Sequence, residues 1–317
     1  MTGVQAWTRV FWRLQRWEAA VLIGGCLLLT VAMWVVAWQL KVNSEAIAAC
    51  YEAPEAQVSP PCRSLIDVGN LLSGSIGVLN GAAILAPFGV GIFLGAPLVA
   101  REIEHRTAPM AWSLSLSRRR WLAARVLPAL VAVGVVLLLL GQASALLVGT
   151  AYEGELGFRH YDSVGPIIAA RGVAVFGIGV LVGMMVGRVL PALLVTALAT
   201  VAVAGAASIG RDQLMRAEAE WIEPGSELDA IAMIYDSRLR DDATGELVTW
   251  EEVYASFPPE EVNLEGDGTP PGMTQLYLTV PPERYPSIVA REIAALAGIG
   301  AFALGAAWWA VLRRRPE

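Results

Sequence analysis

Side chains able to do covalent or ligand chemistry are scarce in this chain, and their spacing excludes most of that chemistry. There are two histidines, His105 and His160, and three cysteines. Neither histidine stands in H-E-x-x-H, the one-turn spacing by which a zinc protease presents two imidazoles to one metal. Ser75, in G-S-I-G, has no histidine in the surrounding apolar sequence to take its proton, which argues against a serine nucleophile. A P-loop for ATP needs G-x-x-x-x-G-K-[ST]; no such stretch occurs, and the single lysine, Lys41, follows an apolar run. Asp241, Asp242, Glu251, Glu252, Glu260, Glu261, Glu265 and Asp267 are acids without D-x-D-x-D-G spacing, so a solvated acidic surface is expected there and no metal site. The chain does not read as an enzyme on its own or as the holder of a cofactor.

Three patterns remain. Cys50 and Cys62 flank a short segment containing Pro54 and Pro60, where a disulfide would fix the loop; the alternative is two free thiols. Cys26 lies inside an apolar run and reads as a small buried hydrophobe. Arg171, Arg291 and Glu292 stand near the ends of apolar runs. They belong either to a substrate path or interface, or to side chains that snorkel to the surface. Most informative is REIEHRTAPMAWSLSLSRRRWL, residues 101–122. It opens with alternating charge, and Thr107 can cap a short helix with Pro109 in its first turn. Met110, Trp112 and Leu114 follow, before Arg118, Arg119 and Arg120. The triple arginine can be a simple membrane anchor, but the charged turn with a short apolar helix looks like a docking surface for a partner.

The elements that must position these groups are set by composition. Of 317 residues, 56% are apolar and only 16% charged, against roughly 25% charged in a soluble domain. Six runs are long enough to cross a hydrocarbon layer as helices, at 19–40, 75–99, 124–150, 167–187, 190–209 and 288–311. They are apolar on every side, which excludes the alternating strands of an outer-membrane barrel. The expected fold is therefore an all-α polytopic membrane protein.

Orientation follows from the arginines. With both termini cytoplasmic, the inner segments hold 13 basic residues and four acids, a sum of +9, while the outer segments sum to −15. Residues 1–18 place Val4, Trp7, Phe11 and Leu14 on one helical face and Arg9, Arg13 and Arg16 largely on the other, which predicts an amphipathic helix against membrane lipids, or an extension of the first span. Residues 19–209 then carry the first five spans, with 101–122 as a cytoplasmic loop. Residues 210–287 form an extracellular cap of mixed α/β structure, with a Thr249/Glu252 capping box before a helix at 250–257 and a strand at 273–280. Residues 288–317 supply the last span and a basic cytoplasmic tail. Dense small residues in the second, fourth and sixth spans allow close helix packing, mostly within the subunit.

The 101–122 segment resembles that between the second and third spans of ATP-binding-cassette (ABC) type-2 permeases of actinobacteria. The pattern A-R-E-x-E-x-x-T-x-x-x-A-W, followed by R-x-x-W-L, is met by Ala100, Arg101, Glu102, Glu104, Thr107, Ala111, Trp112, Arg118, Trp121 and Leu122. Pro281, Arg284, Tyr285 and Glu292 match the same family's entry into its last span; Pro286, Val289 and Arg291 depart from it. The resemblance implies a permease subunit in the plasma membrane, paired with a second copy and with two separate ABC ATPase subunits that bind ATP and Mg. It makes Arg101, Glu102, Glu104 and Thr107 to Trp112, including Met110, the element that couples to the ATPase. It implies alternating access and export of a hydrophobic or amphipathic substrate such as a lipid, drug or natural product, with no nucleic-acid partner. The rival reading is a membrane sensor or assembly protein acting through the outer domain. An ion-coupled carrier would need acids near mid-span, and none is present.

Overall fold

Away from water, a backbone satisfies its own amides and carbonyls most simply as a helix, and long apolar runs without turn residues do so here. The computed structural model describes residues 3–52, 59–108, 117–151, 158–163, 165–223, 233–256, 269–270 and 272–313. Its long helices are α1 (Gly3–Glu52), α2 (Pro60–Glu104), α3 (Arg118–Ala151), α4 (Gly165–Val186) and α5 (Val189–Ala217). A short α6 (Trp250–Ser256) and the long α7 (Tyr285–Arg313) complete them. Among the described residues, six helices are long and apolar enough to span a membrane, namely α1 to α5 and α7.

The helices overrun the expected spans because backbone hydrogen bonding does not stop where the side chains become polar. α2 begins at Pro60, where proline suits a first turn, and not at residue 75. Residues 3–17 join the first span without a break in the helix, so at the backbone level the N-terminal segment is a continuation of α1.

The chain divides into two compact units. The first comprises residues 1–153, 162–206 and 291–317. Within it α4 is the most enclosed span, with Ile167, Ile168, Phe176, Val180 and Met184 all buried. Leu137 and Leu140 of α3 and Leu98 of α2 share its core. Large apolar side chains elsewhere are exposed, among them Trp34 and Trp38 on α1, Leu190 and Leu198 on α5, and Phe302 and Trp309 on α7. An apolar surface of that extent suits lipid and not water.

Glycine sets how closely α4 is approached. A Cβ on Gly95 would stand 2.6 Å from the carbonyl oxygen of Phe176, and one on Gly179 would stand 2.8 Å from the amide nitrogen of Ala96. On the other side of α4, a Cβ on Gly177 would be 2.9 Å from the carbonyl oxygen of Gly300. Gly95, Gly177, Gly179 and Gly300, among the small residues expected in the second, fourth and sixth spans, therefore pack within the subunit, whereas Gly89, Gly298 and Gly305 have nothing within 4 Å of a Cβ position.

The second unit, residues 154–161 and 207–290, carries a four-stranded sheet. Its strands are β1 (Glu220–Ile222), β2 (Ile234–Asp241), β3 (Leu247–Val248) and β4 (Met273–Thr279), in the antiparallel order β1-β4-β2-β3. β4 is the strand expected at 273–280, and α6 is the helix expected at 250–257. The capping box forms: Glu252 Oε2 accepts from the Thr249 amide at 2.8 Å, and the Glu252 amide donates to Thr249 Oγ1 at 3.3 Å. β2 is not legible in sequence because IYDSRLRD interleaves charges with its apolar residues; pairing with β4 is what makes it a strand. Glu260, Glu261, Glu265 and Asp267 lie outside the described residues.

Candidate functional site

The charged step at the C-terminal end of α2 holds a dense set of long-range polar contacts. Successive helical residues point about 100° apart, so Arg101, Glu102 and Glu104 reach three different neighbours. Arg101 donates from both Nη atoms to the Glu18 carboxylate on α1, at 3.1 and 2.5 Å. Glu102 accepts from Arg125 Nε at 2.6 Å and from Trp121 Nε1 at 3.2 Å, both on α3. The Arg125 guanidinium also lies over the Trp121 ring, 4.8 Å from its centre. Glu104 accepts from the Val189 amide at 2.9 Å, at the N-terminus of α5, where unsatisfied amides and the helix dipole favour an anion.

Burial ranks these contacts. The Arg125 and Glu102 side chains are only 7% and 15% exposed, those of Arg101 and Glu18 32% and 42%. Removing one partner of a buried pair typically costs about 3–5 kcal/mol, whereas an exposed pair is worth about 0–1 kcal/mol. Trp121 itself is buried, so its indole is fixed where Glu102 needs it. Nearby, Arg118 donates to the Leu312 carbonyl of α7 at 3.3 Å. The ends of α1, α2, α3, α5 and α7 that carry the arginines thus gather at one end of the helix bundle.

Beyond Glu104 the chain turns sharply. Arg106 has φ of 57°, in the left-handed region where a Cβ is crowded. Its amide bonds back to the Ile103 carbonyl at 3.1 Å, closing α2. Thr107 Oγ1 donates to the Glu102 carbonyl at 3.2 Å, and Ala108 is buried. Helical backbone restarts at Thr107. Met110 and Trp112 lie outside the described residues.

The other predicted groups are at the opposite end. Cys50 and Cys62 form a disulfide joining α1 to α2, with Cα atoms 5.6 Å apart. Arg171 bridges Asp162 at 2.6 Å and Glu292 at 2.9 Å, its side chain 13% exposed and that of Glu292 10%. Arg291 is exposed. Asn80 Oδ1 accepts from Ser144 and Ser163 at 2.8 and 2.9 Å. Ser75 donates to the Leu72 carbonyl at 2.6 Å, which ties its hydroxyl into its own helix.

Residues 20–210 match the family described as ABC-2 membrane transporter related. The chain belongs to that family. It is the membrane permease of an ABC transporter, a kind of subunit that works with an ABC ATPase. No curated protein and no solved structure matches the chain. The matched region takes in Arg101, Glu102, Glu104, Trp121, Arg125 and Val189 of the permease.

Glu18, Arg125 and the Val189 amide were not singled out from the sequence as site groups, and Trp121 only as a motif letter. Two of them left a trace. Glu18 is the one acid in a basic N-terminal stretch, and Arg125 is an ionisable residue at the mouth of a span, where a partner is expected. No sequence pattern points to the backbone of Val189.

Proposed function

We propose that this permease is an exporter of a hydrophobic or amphipathic substrate, driven by separate ATPase subunits through alternating access. The observation that carries the reading is the family match over 20–210, which contains the segment 101–122 within a chain that has no ATP-binding motif. Two permease copies would pair with two ATPases in the plasma membrane, with both permease termini cytoplasmic; ATP and Mg would be held by the ATPases. The arginine-rich helix ends gathered at one end of the bundle support that orientation. Residues 107–112 would seat on the ATPase, next to exposed His105 and Arg106. Nucleotide-driven closure of the ATPase pair would then shift the permease between inward- and outward-facing states.

The test is co-purification of the full-length permease with the ATPase. Replacing residues 107–112 by a Gly-Ser linker should abolish it. Retention of the ATPase by that variant would refute the assignment of the coupling element.

A further inference from the structure

The geometry at the end of α2 points to a role that the coupling reading does not contain. We propose that Glu18, Trp121 and Arg125 are positioning residues for transmission: they bind the step Arg101–Glu104 to α1 and α3, so that motion of the segment after Glu104 reaches several spans at once. The proposal rests on the coupling reading above.

Three observations carry it. First, Arg101, Glu102 and Glu104 are committed to the permease's own helices, through Glu18, through Arg125 and Trp121, and through the Val189 amide. Arg101 and Glu102, half-buried and engaged in this way, are poorly placed to be the groups that grip a partner, whereas Glu104, His105, Arg106 and Thr107 are exposed. Second, the link is continuous. Thr107 bonds to the Glu102 carbonyl, and the Glu102 carboxylate bonds to α3, so one residue joins the start of the docking segment to a neighbouring span. Third, the arms differ in strength. The α3 arm is buried, with two donors on one carboxylate and the guanidinium stacked on the indole. The α1 arm is partly exposed and screened by solvent. Transmission should therefore run mainly through α3, with α1 following less strictly.

The two roles separate experimentally. A docking group, when lost, costs the complex; a transmitting group leaves the complex but not its turnover. The full-length permease would be purified with its ATPase, in lipid, and both the ATPase retained and the ATP hydrolysed per complex would be measured. Arg125→Gln should keep the ATPase and lower ATP turnover about tenfold, inside the roughly 5–150-fold range of ordinary coupling free energies. Glu18→Gln, at the partly exposed pair, should lower turnover less. The exchange Glu102→Arg with Arg125→Glu should restore part of the turnover lost in either single variant, which a purely structural role for one side chain would not give.

Loss of the ATPase from a folded Arg125→Gln permease would overturn the proposal, because the side chain would then serve docking. Wild-type turnover in both Arg125→Gln and Glu18→Gln would overturn it, as would a larger effect at Glu18 than at Arg125. If Arg125→Gln does not fold, the Glu18→Gln and charge-exchange permeases decide, and absence of any effect or rescue in them counts against it. Failure of the unsubstituted permease to retain an ATPase would overturn the coupling reading itself, and this inference with it.

Discussion

The contact between α2 and α4 offers the sharpest physical test, because backbone meets backbone there and no rotamer change can relieve a clash. Gly95→Ala would place a methyl group 2.6 Å from the Phe176 carbonyl oxygen and 3.2 Å from its Cα. Ordinary contact begins near 3.4 Å, so the helices would have to separate locally by about 0.8 Å, opening the packing around Phe176. Overpacking of a close contact costs about 1–3 kcal/mol, and the better helix propensity of alanine returns up to about 1 kcal/mol. With the full return of propensity, the expected net loss is about 0–2 kcal/mol. Gly89→Ala, six residues earlier on the same helix, meets nothing within 4 Å and should gain up to about 1 kcal/mol from propensity alone. At roughly 2–4 °C per kcal/mol, thermal unfolding of the full-length protein in detergent, followed by tryptophan fluorescence, should resolve the two variants. Gly179→Ala, facing the same seam, should lose less in combination with Gly95→Ala than the sum of the two single losses, since one separation relieves both clashes. If Gly95→Ala melts together with Gly89→Ala, the close approach of α2 and α4 is wrong, and so is the argument from glycine.

Three further outcomes follow from the opposite end of the bundle and from the sheet unit. Arg171→Gln leaves the Glu292 carboxylate buried without its cation and should destabilise by about 3–5 kcal/mol, whereas Arg171→Leu with Glu292→Leu should lie much closer to wild type; chemical or thermal unfolding of the single and double variants checks this. Cys50→Ser with Cys62→Ser should cost about 2–3 kcal/mol, the loop entropy of a ring of this size, and a reducing agent should lower the melting temperature of the wild-type chain but not of that variant. The Glu252 carboxyl is held below its ordinary value of 4.5 by hydrogen bonds from the Thr249 backbone and side chain. A carboxyl of depressed pKa gives its full stabilisation above the ordinary value and loses it as pH falls through the depressed one, so α6 should fray below about pH 4.5, and Glu252→Gln should remove that dependence; amide exchange of residues 250–256 at two pH values reads it.

The sequence by itself determined the class of this protein and the main points of its chemistry. Six apolar runs have one solution in lipid, and the short polar step Arg101–Glu104, the cysteine pair and the Thr249/Glu252 box are local patterns whose physics needs only a few neighbouring residues. The family resemblance rested on the same local letters. What the sequence could not decide is which side of each helix is inside, because a run that is apolar all round carries no face. Tertiary packing chose α4 as the enclosed helix, through glycines whose use depends on a partner backbone far away in the chain. It also gave Arg101, Glu102 and Glu104 partners within the permease, by bringing Glu18, Arg125 and the Val189 amide to them. A charge shows in the sequence, but its partner, 83 or 85 residues distant for Arg101 and Glu104, is set only when the helices pack.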